Sequence, residues 1–344
     1  MRTRITDLFQ IEHPILLSGM SWISTPELVA AVSNAGGLGI LATGVLETEQ
    51  TRDYVRRTRE LTDRPFAANI TLYFPGAERN ARVLLEERVP ILNYALGKGD
   101  WIATAAHEYG AKVIATVTTE KHARAAQRDG ADALIVTGHE AAGHGGDVTS
   151  LVLIPALVDA VSVPVVAAGG FADGRGLVAA LSLGADGVAM GTRLMNTRES
   201  PVHEDMKRVG VERGVTDSLV TTRVDGLPAR VVRSRGVKRL MRRPVNPLTA
   251  LLSSRQIARM LGLPWGKLVA GILFTGWRRS MAMARMARGF SAFQLGTMNG
   301  DLERGVLPLG QVTGLVHDTP TVAEVIKRTV AEAEQVIARL QRAV

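Results

Sequence analysis

The sequence predicts an α/β fold in which eight parallel strands close into a (β/α)8 barrel, with a basic, mostly helical insertion near the C-terminus. Three observations predict it. From Ile15 to about Gly191, short β-branched runs alternate with stretches of helical spacing at a nearly constant interval, the pattern of repeated βα units. The runs number eight and are similar in length, which favours closure over an open, doubly wound sheet. Gly36-Gly37-Leu38-Gly39 precedes a strand instead of following one, the wrong context for a dinucleotide-binding phosphate loop.

In chain order the strands are expected at Pro14–Ser18, Leu38–Ala42, Phe66–Thr71, Ile91–Ala95, Lys112–Thr116, Ala133–Thr137, Pro164–Ala168 and Gly187–Met190. Near-continuous apolar runs of this kind suit strands covered on both faces. Between them Pro26–Asn34, Glu47–Leu61, Ala77–Glu87, Asp100–Tyr109, Glu120–Arg128, Leu151–Val161 and Gly176–Leu183 carry Ala, Leu and Val at helical spacing, with Gly or Pro as punctuation. Residues Thr321–Arg342 read as a terminal helix packed on the barrel exterior.

A chain of 344 residues accommodates one large barrel plus an insertion, or two ordinary domains. There is no cysteine, which excludes disulfides, thiolate metal sites and a cysteine nucleophile. The polar start Met1-Arg2-Thr3-Arg4 lacks a signal-peptide core, and no apolar run reaches membrane-spanning length, so a cytoplasmic protein is expected. The net charge of +8 is unevenly distributed. From Asp217 to Phe290 there are 15 Lys or Arg against Asp217 and Asp225 alone, a local +13; the remainder is therefore slightly acidic. The cluster includes Arg223, Arg230, Arg233, Arg235, Lys238, Arg239, Arg242 and Arg243. With no recognised binding module beside it, nucleic acid is a poor fit. A phosphate-bearing small molecule, such as a CoA thioester or NADPH, suits it better, with Arg223, Arg230 and Arg233 as candidate contacts. The plainer alternative is a solvated helical face.

In a barrel, function collects at the C-terminal strand ends. The most organised of these is Val163 to Gly176, an apolar run ending in Gly169-Gly170, answered by Gly187 to Arg193 with Gly191-Thr192. Glycines admit close approach of main-chain N–H groups to an anion, and Asp173 can cap the following helix, so the pair reads as a phosphate cradle. Gly19-Met20 can place backbone against a planar ligand, and Asn69 offers donor and acceptor together, or else satisfies rim backbone groups. The loop Thr137 to Asp147 holds His139, Glu140 and His144 among glycines. The two histidines are five apart in loop, not four apart on a helix, so no zinc motif forms and no metal is expected. His144, flanked by Gly143 and Gly145, is a candidate proton donor or acceptor at neutral pH, or a solvated loop histidine, and Glu140 can orient the loop by bonding backbone N–H groups. The segment Pro264-Trp265 through Trp277, then Met281, Met283 and Met286, suits core, a homodimer interface or a bulky apolar substrate.

Taken together, Glu12-His13-Pro14-Ile15 through Gly19-Met20, Asn34 to Gly39, Asn69, Glu140-Ala141-Ala142-Gly143-His144, Ala168 to Gly174 and Met190-Gly191-Thr192-Arg193 resemble the nitronate monooxygenase (2-nitropropane dioxygenase-like) family of FMN-dependent TIM-barrel enzymes. The likeness runs to about residue 205 and resumes weakly at Gly310-Gln311-Val312-Thr313-Gly314. It implies an FMN-binding barrel over residues 1–205 and 304–344, with 206–303 covering the active-site mouth. FMN phosphate would lie on Gly169, Gly170, Gly191 and Thr192, and the ring against Gly19, Met20 and Asn69. Thr137, Gly143 and Gln311 complete the cofactor set, and His144 is the catalytic histidine. Two departures are Leu17-Ser18, where relatives often carry Gln-Gly, and Thr137, where several carry an acid.

The resemblance implies oxidation of a nitronate or nitroalkane with O2 to a carbonyl and nitrite. The same scaffold also carries NADH:quinone reductases and flavin-dependent enoyl-[acyl-carrier-protein] reductases. Thr221-Thr222-Arg223-Val224-Asp225-Gly226-Leu227-Pro228 is similar to a segment of FMN reductases that act on CoA thioesters in steroid-ring degradation. The alternative is thus NAD(P)H-dependent reduction of an enone or enoyl thioester, with NADPH or NADH as co-substrate. The basic insertion favours this alternative, because a small nitronate needs no such surface. A non-catalytic FMN-binding protein is a third class, marked by a His144→Ala variant that leaves every turnover unchanged.

Overall fold

The computed structural model describes residues 1–74, 76–242, 265–266 and 277–343. Pro264, Phe274-Thr275-Gly276 and Arg243 lie outside the described residues. Eight strands form the sheet: β1 (Ile15–Leu17), β2 (Gly39–Ala42), β3 (Phe66–Thr71), β4 (Ile91–Ala95), β5 (Lys112–Val117), β6 (Ala133–Thr137), β7 (Val165–Ala168) and β8 (Gly187–Met190). Every neighbouring pair is parallel, in the order β1-β8-β7-β6-β5-β4-β3-β2. Leu16 bridges Leu38, and Leu17 N donates to Leu38 O at 2.9 Å, which joins β1 to the approach of β2 and closes the ring. All eight expected strands are present with ends displaced by at most one residue, because their apolar runs are buried on both faces.

Side chains alternate between two cores. Leu16, Leu38, Ile40, Ile91, Ile114 and Val166 fill the barrel interior. Ile5 and Phe9, on α1 (Arg4–Phe9), join that cluster and plug the end opposite the strand C-termini. The other set packs outward against helices, among them α2 (Pro26–Asn34), α3 (Thr48–Leu61), α4 (Ala77–Glu86), α5 (Asp100–His107), α6 (Glu120–Arg128), α7 (Ser150–Ala160) and α8 (Gly174–Ser182). Asp173 caps α8 by accepting from Gly176 N at 2.9 Å. None of the described helices is long and apolar enough to cross a membrane.

Past β8 come the short α9 (Thr192–Met195), α10 (Glu204–Glu212), an antiparallel ribbon of β9 (Ser218–Thr221) and β10 (Ala229–Val232), α11 (Arg235–Arg242) and α12 (Trp277–Thr297). The ribbon is an addition to the helical picture of this segment. Its four-residue strands are too short to show a clear alternation, and they are held by a small core of their own made of Val224, Val231, Val237, Ala292 and Val306. The terminal α13 (Val322–Gln341) lies on the barrel exterior against α8, where a Cβ on Gly174 would stand 2.3 Å from Ala333 N.

Candidate active site

The C-terminal strand ends open into a cavity of about 810 Å³. Its floor is polar. Asn69, Asn93 and Thr116 stand at the top of the barrel interior on three adjacent strands, with Asn69 paired in register to Asn93. Asn69 Nδ2 donates to Asn93 Oδ1 at 2.6 Å, and Asn93 Nδ2 donates to Thr116 Oγ1 at 3.0 Å. This chain orients the Asn69 amide and leaves its second N–H to the cavity. Gly19 is glycine because Asn69 comes so close: a Cβ there would meet Asn69 Cβ at 2.6 Å.

On one side lie the glycine turns. Gly169 and Gly170 follow β7 with φ of +96° and +91°, a conformation that other residues adopt only under strain. Gly191 differs in kind, since a Cβ there would find no protein atom nearer than Met20 Sδ at 3.5 Å and would project into the cavity. Thr192, also on the wall, accepts from Gly310 N through Oγ1 at 3.0 Å and so ties the 308–312 segment to the end of β8. Thr137 and Met20 line the cavity as well. Gln311 adds its backbone, which donates to Glu140 O at 2.9 Å; its neighbours Gly310 and Val312 form wall and its own side chain does not.

The loop after β6 is fixed from both sides. The Glu140 carboxylate accepts from Ser150 N and Ser150 Oγ, and Ser150 Oγ also reaches Gly169 O at 2.7 Å. Opposite, Gly143 exchanges two backbone hydrogen bonds with Arg230 of β10, at 3.1 and 2.8 Å. The Arg230 guanidinium is buried behind this contact and donates twice to His139 O and once to Ser218 Oγ. Arg230 is thus a pin between ribbon and loop. Arg223 and Arg233 are exposed, Arg233 donating to Thr216 O, and none of the three expected arginines is on the cavity wall.

His144 sits at the rim with 23% of its side chain exposed. Its Nε2 lies 3.2 Å from Oδ2 of Asp225, whose side chain is 4% exposed, and its Nδ1 lies 3.1 Å from Pro228 O. Both groups face the ring with acceptor oxygens, so each favours a proton on the nitrogen opposite it and together they favour the doubly protonated ring. Burial works against that charge more than any other single influence, but the Asp225 hydrogen bond and charge and the Pro228 carbonyl outweigh it, raising the His144 pKa above its ordinary value. Asp225 lines the cavity and Pro228 does not, so Nε2 is the nitrogen on the cavity side. Asp225 Oδ1 accepts from Leu227 N at 3.1 Å, and α12 crosses the acid at Gly289, where a Cβ would lie 2.5 Å from Asp225 Cβ.

Sequence reasoning did not single out Asp225, Asn93 or the aromatic wall. Asn93 carries the same signal as Asn69, an asparagine inside an apolar strand. Asp225 is one of two acids in a strongly basic segment, a contrast that marks it without naming its partner. The wall is Phe290 of α12, edge-on to Trp22 at 5.7 Å and to Phe74 at 4.7 Å. It joins residues from three distant parts of the chain.

The sequence profile described as nitronate monooxygenase matches residues 2–81 and 74–332. A protein of Mycobacterium tuberculosis (strain ATCC 25618 / H37Rv) named (3aS,4S,5R,7aS)-5-hydroxy-7a-methyl-1-oxo-octahydro-1H-indene-4-carboxyl-CoA dehydrogenase is 37% identical over 97% of this chain and 96% of its own length. A protein of the same name from Rhodococcus jostii (strain RHA1) is 38% identical over the same shares. Among solved structures, FabK from Thermotoga maritima superposes with a TM-score of 0.83 at 37% identity, covering 100% of both chains.

Proposed function

The chain belongs to the nitronate monooxygenase family of oxidoreductases, and on that premise we propose that it binds FMN and transfers hydride to or from the acyl portion of a bulky CoA thioester. The observation that carries this reading is His144, held between Asp225 and Pro228 at the rim of a cavity with an aromatic wall. A cavity of about 810 Å³ is toward the large end of ligand sites. The names of the two actinobacterial relatives, each covered almost end to end, support a CoA thioester.

The residues fit FMN. Left-handed Gly169 and Gly170 turn main chain toward an anion, Gly191 keeps open a volume that a side chain would fill, and Asn69 is pre-oriented by Asn93. When bound, FMN supplies the hydride chemistry. The chain contributes orientation and a proton. As hydride reaches the β-carbon of an enoyl or enone group, negative charge develops on the carbonyl side, and the Nε2–H of the protonated ring turns from Asp225 to hydrogen-bond to it and deliver the proton. The Pro228 carbonyl holds Nδ1 throughout, and the Asp225 carboxylate stabilises the ring cation by its charge. In the oxidative direction the same nitrogen, once deprotonated, takes that proton back. Phe290, Trp22 and Phe74 exclude water and provide a flat apolar wall for an alicyclic acyl group.

A second reading, nitronate oxidation with O2, is favoured by the same histidine, which in its protonated form can bind an anionic nitro group. Anaerobic stopped-flow absorbance of the flavoprotein decides between them. Bleaching by NADPH or NADH, followed by reoxidation with an enoyl-CoA, or direct bleaching by a saturated acyl-CoA, supports thioester chemistry. Bleaching by propionate 3-nitronate alone overturns it in favour of nitronate oxidation.

A further inference from the structure

One face of α11 is a cationic pocket that the mechanism above does not use. Arg235, Lys238, Arg239 and Arg242 recur at i, i+3, i+4 and i+7 and line a depression of about 300 Å³. The opposite face is anchored: Gly236 and Val237 are buried, and Gly236 N donates to Leu302 O at 2.9 Å. The four cations are therefore presented outward by packing.

What sets them apart is that they cluster with little counter-charge. On the barrel, single exposed cations such as Arg64 and Arg128 also have no ion pair among the described residues, but a cluster is matched to a carboxylate, as where Arg52, Arg56 and Arg59 converge on Glu87. On α11 only Arg235 has an acid, Glu303 at 3.1 Å; Lys238, Arg239 and Arg242 have no ion pair among the described residues. Like charges at i, i+3 and i+4 repel, which a bound polyanion would relieve. The helix C-terminus favours a cation nearby, but accounts for one or two of them, not four.

The pocket is tied covalently to the active-site rim. Pro228, whose carbonyl holds His144, leads directly into β10 and thence to Arg235. Those seven residues span at most about 23 Å even if fully extended, at about 3.3 Å each. An extended pantetheine–pyrophosphate arm is of a length to cover such a distance.

We propose that this face of α11 binds the phosphorylated nucleotide end of the CoA substrate, the 3′-phosphate and pyrophosphate of its adenosine moiety. This rests on the thioester reading above and locates the phosphate contacts on Lys238, Arg239 and Arg242 instead of Arg223, Arg230 and Arg233. The test is calorimetric titration of the flavin-loaded, full-length protein with CoA, dephospho-CoA and adenosine 3′,5′-bisphosphate. Wild type is compared with Lys238→Ala/Arg239→Ala/Arg242→Ala, whose side chains are all exposed. The expected result is CoA binding about tenfold or more weaker in the triple variant, a smaller loss for dephospho-CoA, and a wild-type affinity that falls with salt. Equal CoA binding by both proteins overturns the subsite and leaves the thioester reading standing. Absence of CoA binding by wild type overturns both. Retention of anionic vesicles or RNA by wild type, with CoA unable to compete, overturns the subsite in favour of a macromolecular partner.

Discussion

Replacing Asp225 with Asn removes one charge and keeps the shape, so it isolates what the carboxylate does to His144. At 3.2 Å from Nε2, and with only 4% of its side chain exposed, the acid is poorly screened. An opposite charge this close favours the protonated ring and raises the histidine pKa. In wild type that influence, with the Pro228 carbonyl, overcomes burial and sets the pKa above the ordinary 6.5. In Asp225→Asn the charge is gone while burial and the Pro228 carbonyl remain, and His144 should titrate lower than in wild type. The direction has a second consequence: because the folded pKa is raised, the stability it contributes is present below pH 6.5 and disappears as pH rises through the folded value. The assay is the carbon-bound ring-proton shift of His144 against pH by NMR, together with the pH dependence of the single-turnover rate. The alkaline limb should move toward acid by the same amount, and the stability gain below pH 6.5 should shrink. A titration midpoint within about 0.3 units of wild type would refute the charge coupling.

Other substitutions separate binding from folding. Gly191→Ala should leave the melting temperature of the flavin-free protein nearly unchanged, because the added Cβ meets no protein atom nearer than 3.5 Å, yet the purified protein should carry less flavin absorbance than wild type. Gly170→Ala, at φ +91°, should cost about 1–2 kcal/mol in denaturant unfolding whether or not flavin is present. Arg230→Ala deletes three buried donors, so we expect about 2–4 kcal/mol of destabilisation and faster proteolysis within residues 139–147. Phe290→Ala removes the centre of the aromatic wall and should raise KM for an alicyclic CoA thioester at least about fivefold more than for a short linear one, about 1 kcal/mol of selective contact; equal effects on the two substrates would show that the wall is only structural.

The barrel was legible because each βα unit is written locally. An apolar run of four to six residues such as Val165–Ala168 can be satisfied only by burial on both faces, and the glycines that end it mark where backbone must turn. The candidate residues at those ends, from Gly19 and Asn69 to Gly169 and Gly191, are brought to one cavity by the closure of the barrel alone. His144 was legible as a candidate for the same reason, standing in a glycine-rich loop at a strand end.

Its partners were not. Pro228 lies 84 residues further on, and the approach of Asp225 depends on a ribbon of two four-residue strands, on backbone pairing between Gly143 and Arg230, and on the room left by Gly289. The charge pattern was ambiguous in the same way. Counting could show that the segment is basic, but Arg230 proved to be a buried pin and the α11 cations an outward face. A run of residues determines its own period and its charge; which charge meets which acceptor is decided only when distant segments pack, since the cost of burying a donor or a carboxylate depends on what the rest of the chain places opposite it.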